Sequence, residues 1–435
     1  MNAIVKPDLS PAADAGSFTA GTRFLRQRLL AQMAALRHGR LVLRDALGTV
    51  ELGTPAAQQP DLAVHIEVRD PAFYRAVAAN GSVGAGESWM DGHWQCDHLV
   101  GLIQLLVRNR DLLDGMETGL ARLGGMAMRG WHALRRNTRD GSRRNIAAHY
   151  DLGNDFFELF LSSDLMYSSA MWDGPHDTLE AASARKLESI CRKLDLKPTD
   201  RVVEIGTGWG GFALYAAQHY GCHVTTTTIS REQHALAGER VAAAGMGAHV
   251  TLLLEDYRDL HGKYDKLVSI EMVEAIGAPY LDTYFGQLGA LLKDDGLALV
   301  QAITIEDHRY AQALKSVDFI KRHVFPGSFI PSINALLGAK TRSSDLALVQ
   351  LEDFGLSYAR TLQAWRERFM ARLPQVRAQG FDERFMRMWE FYLAYCEGGF
   401  RERSIGVAHL LMAKPGYRPA DAKADSLLPH AGHAA

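Results

Sequence analysis

The stretch Arg201-Val-Val-Glu-Ile-Gly-Thr-Gly-Trp-Gly-Gly211 constrains this chain more than any other. A short run suited to a buried strand leads into a glycine turn and then into the helix-forming run Phe212-Ala-Leu-Tyr-Ala-Ala217. In that order the three parts let backbone approach a nucleotide-like ligand closely, because a glycine has no Cβ to hold the ligand off. Gly206, Gly208 and Gly211 also satisfy the G-x-G-x-x-G pattern of dinucleotide enzymes, so the glycines do not choose between a nicotinamide cofactor and S-adenosylmethionine (AdoMet). The flanks favour AdoMet. Glu204 puts a carboxylate at the strand's end, suited to an ammonium group, whereas the next strand, His223-Val-Thr-Thr-Thr-Thr228, ends without the acid that an NAD ribose usually meets there. The plain alternative is a glycine turn that only packs a helix on a sheet.

Periodicity predicts strands at 223–228, 250–254, 266–270 and 296–305 alternating with helices at 231–244 and 280–292. This βαβα order implies a parallel sheet and an α/β, Rossmann-like fold. An insertion over 306–345, holding Phe325-Pro-Gly-Ser-Phe-Ile-Pro331, interrupts it before strand 349–353, helices 361–371 and 381–396, and strand 405–412. Upstream, Phe24, Leu25, Leu29, Leu30, Met33 and Leu36 recur at helical spacing among arginines, giving a basic helix that either touches anionic lipid or docks on its own domain. Short alternating strands between Gly39 and Arg69 suggest a small antiparallel sheet, followed by a helix from Asp70 and a glycine loop with aromatics from Gly81 to Trp94. Seven arginines against one acid between Ala121 and Asn145 suit an anionic membrane surface or a solvated hinge equally. The expected organisation is a disordered leader over 1–20, an N-terminal domain over 21–120, a basic linker over 121–145, the α/β domain over 146–413 and a disordered tail over 414–435.

A net charge of -2 excludes attraction to nucleic acid driven by overall charge and leaves only local patches to consider. The four cysteines, Cys96, Cys191, Cys222 and Cys396, lack metal-ligand spacing, so no metal site is expected and reduced thiols in a cytoplasmic protein are. No apolar run is long enough to span a bilayer, and Met1 to Ala20 lacks the charged start and apolar block of an export signal.

Six separated motifs occur in one order: Gly84-x-Gly86-Glu-Ser-Trp-Met-Asp-Gly92, His149-Tyr-Asp-Leu-Gly-Asn-Asp155, Tyr167-Ser-Ser-Ala170, Glu204-Ile-Gly-Thr-Gly-Trp-Gly-Gly211, Thr228-Ile-Ser-x-x-Gln233 and Asp256-Tyr-Arg-Asp259. On these, with Phe325-Pro-Gly, Phe354-Gly-x-x-Tyr358 and Ala364-Trp-x-x-Arg-Phe369, the chain resembles the cyclopropane-fatty-acyl-phospholipid synthase and mycolic-acid methyltransferase family over roughly residues 35 to 413. The resemblance implies an AdoMet-dependent methyltransferase domain behind a smaller α+β lipid-handling domain. It also implies transfer of a methylene group to the double bond of an unsaturated phospholipid acyl chain at the inner membrane face, forming a cyclopropane. A homodimer is left open.

For AdoMet the resemblance implicates Tyr167, Ser168, Glu204, Gly206, Gly208, Gly210, Thr228, Ile229, Gln233 and Tyr257. Tyr167, Trp172, Trp209 and Tyr257 are suited either to stabilising a cation or to core packing. For the proton that must leave, the resemblance implies a bound bicarbonate held by Glu274, Tyr358, the backbone of Ser169, Gln301 and Ile303. Two of these depart from the family pattern, Ser169 standing for a Cys and Gln301 for a His, while Ala275 follows Glu274 where many relatives have His. Gln301 can still donate a hydrogen bond, but a charged partner is gone. The alternative outcomes are a methyl or methylene branch on the chain, or a lipid-binding relative without catalysis.

Overall fold

The computed structural model describes residues 18–54, 62–111, 141 and 152–419. Most of the expected leader, the basic linker, the first residues of the His149–Asp155 motif and most of the tail lie outside the described residues. Two compact units emerge, each assembled from separate stretches. One comprises the residues up to Leu161 with His308–Ile330 and Gly355–Gly406, the other Ser162–Asp307, Pro331–Phe354 and the residues from Val407 on.

In the first unit the strands β1 (Gly39–Asp45), β2 (Gly48–Thr54), β3 (Ala63–Val68) and β4 (Trp94–Cys96) form a sheet of order β2-β1-β3-β4. The sequence suggests an all-antiparallel sheet, but β3 pairs on the far side of β1 from β2 and therefore runs parallel to β1. The basic helix spans Ala20–Met33, starting at Thr19, whose hydroxyl accepts the Thr22 N–H at 3.2 Å. Its Arg26 turns inward, onto buried Asp45 at 2.5 Å, which also accepts the Tyr74 hydroxyl.

The expected glycine loop after Gly81 is a correction. Helix Ala72–Met90 runs through it, broken only at Gly81, where φ is 56°. The glycines there serve close packing: a Cβ on Gly86 would sit 2.4 Å from the Phe319 ring, and one on Gly84 would meet the Ala76 carbonyl. Helix Glu383–Arg401 packs on helix Gly355–Ala371 and on helices Ala72–Met90 and Leu99–Arg108. Around it Phe156, Phe160, Phe369 and Trp389 interlock edge to face, Phe156 and Trp389 with centroids 4.8 Å apart.

The second unit holds β5 (Arg201–Ile205), β6 (His223–Thr227), β7 (Val250–Leu253), β8 (Tyr264–Ile270), β9 (Leu292–Ile305), β10 (Ala347–Asp353) and, from Val407 on, β11 (Ile405–Ala413). They form one sheet of order β10-β11-β9-β8-β5-β6-β7, with β5 parallel to β6 and β8, β6 to β7 and β8 to β9, and β10 antiparallel to β11. The fold is the α/β, Rossmann-like one that the alternation predicts. Strand β5 is followed on one side by β6 and β7 and flanked on the other by β8, so the order reverses between β5 and β8. A crevice at the carboxyl ends of strands where the order reverses is where α/β sheets bind ligands.

Candidate active site

At the carboxyl end of β5 the chain turns through Gly206, Gly208 and Gly210 with φ of 102°, 51° and 85°. Side chains rarely adopt these conformations. Apart from its chain neighbours, no atom of the described residues lies within 4 Å of where a Cβ on Gly208 would be, so that side of the turn is open to a ligand. Glu204 is buried and accepts a hydrogen bond from the Thr226 hydroxyl at 2.7 Å. Burial pushes its carboxyl up to about 8, against the Thr226 hydrogen bond and nearby Lys186. Lys186 is itself fully buried, donates to the Ser168 hydroxyl at 3.0 Å, and is pushed down to about 8 by burial while Asp164, Glu271 and Glu204 hold it up.

The neighbouring strand ends supply neutral groups. The Thr228 hydroxyl donates to Gln233 Oε1 at 2.9 Å and accepts the Ser230 N–H, which fixes the Gln233 amide at the start of helix Arg231–Ala243. Ile229 and Tyr167 are half-buried. The Tyr257 hydroxyl is buried without a hydrogen-bond partner among the described residues, and burial pushes it up to about 12. A carboxylate for an ammonium, an open glycine turn and neutral acceptors and donors beyond β6 fit AdoMet, and no acid follows β6 to claim an NAD ribose. Trp209 is buried in the turn itself and Trp172 is half-buried.

Past the end of β8 lies Glu271, a non-glycine residue with φ of 49°. One carboxylate oxygen, Oε1, accepts the Ser169 backbone N–H at 2.9 Å and the Gln301 amide at 2.7 Å. Beside it Glu274 is buried, with Oε1 accepting the Ile303 N–H at 2.5 Å and Oε2 unpaired among the described residues. Burial and the neighbouring Glu271 push Glu274 up to about 8. The structure thus brings Ser169, Glu274, Gln301 and Ile303 together around a carboxylate the sequence reading left without a role. The Ser169 hydroxyl turns away, donating to the Ala170 carbonyl at 3.0 Å. Tyr358 belongs to the other unit, buried on helix Gly355–Ala371 with its ring 4.4 Å from that of Phe400.

Behind Gln301 runs a hydrogen-bonded chain that sequence reasoning also missed. Glu352 on β10 pairs with Lys193, whose Nζ lies 2.7 Å from His409 Nδ1, and His409 Nε2 lies 2.9 Å from Gln301 Oε1. An ammonium only donates, so Nδ1 accepts and Nε2 carries the ring proton. The Gln301 oxygen is then committed to His409 and its NH₂ faces Glu271. Burial first, then Lys193 and Lys186, holds the His409 pKa well below its usual value, consistent with a neutral ring. One signal for it was present: His409 is the only polar side chain in Ile405-Gly-Val-Ala-His-Leu-Leu-Met-Ala413.

The mycolic acid cyclopropane synthetase family model matches residues 137–410. A tuberculostearic acid methyltransferase of Mycobacterium tuberculosis is 37% identical over 409 residues, covering 92% of this chain and 93% of its own. The cyclopropane-fatty-acyl-phospholipid synthase of Escherichia coli strain K12 is 38% identical over 351 residues, 80% of this chain and 87% of its own. Among solved structures, a mycolic acid cyclopropane synthase complexed with SAH and CTAB superposes with a TM-score of 0.59 at 28% identity, covering 62% of this chain and 98% of that one.

Proposed function

We propose, from the premise that this chain belongs to the mycolic acid cyclopropane synthetase family, that it converts the double bond of unsaturated phospholipid acyl chains into a cyclopropane. The chain is an AdoMet-dependent methyltransferase, and its relatives support transfer of a methyl or methylene group to lipid acyl chains. The ring as product and the phospholipid as substrate are the finer steps of the reading. The observation that carries it is the pair Glu271, half-buried, and Glu274, buried, each held by backbone N–H groups beyond the strand next to the glycine turn. Alkylation of an alkene leaves a cation that must lose a proton, which such a pair of carboxyls is suited to accept.

When bound, AdoMet supplies an electrophilic methyl. Glu204 would hold its ammonium, Thr228 and Gln233 its ribose or adenine, and the open side of Gly208 would admit it against the backbone. An isolated alkene is a poor nucleophile, so the pocket must hold it in place and keep water out. The phospholipid would be met at a membrane surface, drawn there by the arginines between Arg122 and Arg144, which lie outside the described residues. No described helix is long and apolar enough to cross a membrane.

A branched product is the second reading, favoured by Gln301 in place of His and by likeness to a tuberculostearic acid methyltransferase. The test is expression in a host rich in monounsaturated phospholipid and lacking its own synthase. A fatty acid heavier by one CH₂ with ring proton signals supports the proposal. The same mass with olefinic signals, or a mass greater by two further hydrogens with methyl-branch signals, supports the second reading, and unchanged lipid refutes both.

A further inference from the structure

The two donors that the resemblance assigns to bicarbonate, the Ser169 N–H and the Gln301 amide, are both taken by Glu271 Oε1. With that carboxylate in place a dissolved anion does not fit between them. We propose that Glu271 is the enzyme's own base, its carboxylate occupying the anion's position and accepting the proton without bicarbonate. The inference rests on the reading that the chain alkylates an acyl double bond.

Three independent features support it. The chain from Lys193 through His409 to Gln301 has one polarity, and it ends by presenting an N–H to Glu271, so the pocket is built to hold a proton-free acceptor there. The backbone of Glu271 sits at φ 49°, a conformation a glycine would adopt without strain, yet the position carries a carboxylate. Third, the next residue places the group beside the cofactor turn: a Cβ on Gly206 would sit 3.3 Å from Met272 Cγ. The raised Glu274 agrees, since two neighbouring carboxyls divide one proton and here Glu274 keeps it at neutral pH.

The step balances without another reactant. Once the alkene π pair has bonded the new methyl, the acyl chain carries one positive charge. A C–H bond of that methyl breaks, its electron pair forms the last C–C bond of the ring, and the proton goes to a Glu271 oxygen. Cation and carboxylate become neutral lipid and neutral carboxylic acid. If a hydride first shifts from the methylated carbon to its cationic neighbour, loss of a methyl proton with the pair forming C=C gives a methylene branch, so the assignment covers both products.

The experiment uses the full chain, labelled AdoMet and vesicles of monounsaturated phospholipid in buffer freed of inorganic carbon. Wild-type turnover should stay within about twofold when bicarbonate is added, and Glu271→Gln, which can keep both hydrogen bonds, should lose about 10²–10⁴-fold. Binding of S-adenosylhomocysteine by the variants reports an intact fold. Glu271→Gly frees both donors, and added bicarbonate should restore part of its turnover. Wild-type activity that vanishes without bicarbonate and returns with it overturns the proposal, as does a Glu271→Gln enzyme of full activity. Absence of label in wild-type lipid with and without bicarbonate removes the alkylation reading and this assignment with it.

Discussion

Replacing Glu204 with Gln should stabilise the ligand-free protein while weakening its hold on AdoMet. In the folded chain burial raises this carboxyl from 4.5 to about 8. Between those values the folded state keeps a proton that the unfolded chain has released, so this group's contribution to stability falls as pH rises from about 4.5 to about 8. The slope is about 1.4 kcal/mol per pH unit, and the full shift corresponds to roughly 5 kcal/mol. Gln removes the titration. Lys186 loses a carboxylate neighbour in the exchange, which trims the gain and makes that figure a ceiling. Glu274 titrates with the same sign but is present in both proteins, so the difference between their curves isolates Glu204. Urea unfolding at pH 5 to 8 should show the variant's advantage near its minimum at the acid end and widening steadily upward. Calorimetry should show AdoMet bound about ten- to a hundredfold more weakly, the worth of a charged hydrogen bond to a buried ammonium. Parallel stability curves would refute the buried ionisation, and unchanged affinity would refute the ammonium site.

Glu274→Gln should lower turnover by orders of magnitude with S-adenosylhomocysteine affinity nearly unchanged, while Ser169→Ala should be mild, because only the Ser169 backbone meets Glu271. Gly208→Val should abolish AdoMet binding in calorimetry yet leave a folded protein by circular dichroism, since φ is 51° and the Cβ enters space that no other described residue fills. Gln301→Leu leaves the buried His409 N–H without its acceptor and should cost about 1–3 kcal/mol in urea unfolding. Gln301→His restores a donor and an acceptor and should keep activity in the same lipid assay.

What the sequence showed of the site was what is local in it. The strand, turn and helix around Glu204 occupy consecutive residues, so their order alone implied a ligand-binding crevice. Glu271 stands three residues before Glu274, but where its carboxylate points depends on a left-handed backbone that no pattern announces. Lys193, on helix Leu179–Leu194, and His409, on β11, meet across 216 positions, and only a strand order that sets β11 beside β9 brings His409 behind Gln301. The glycines at 84 and 86 misled for the opposite reason. Turn chemistry and close helix packing both favour glycine, and at Gly86 the ring of Phe319 that decides between them lies far along the chain.

The chain passes between its two units five times, after Leu161, Asp307, Ile330, Phe354 and Gly406. During synthesis this delays the first unit: helix Glu383–Arg401, which covers helices Ala72–Met90 and Leu99–Arg108, leaves the ribosome only after all the chain between them has been made. Until then their apolar faces are exposed, among them buried-to-be Trp89, Leu102 and Ile103. A fragment cut anywhere before 383 should therefore aggregate or call on a chaperone, and neither unit can be produced alone by trimming one end of the gene.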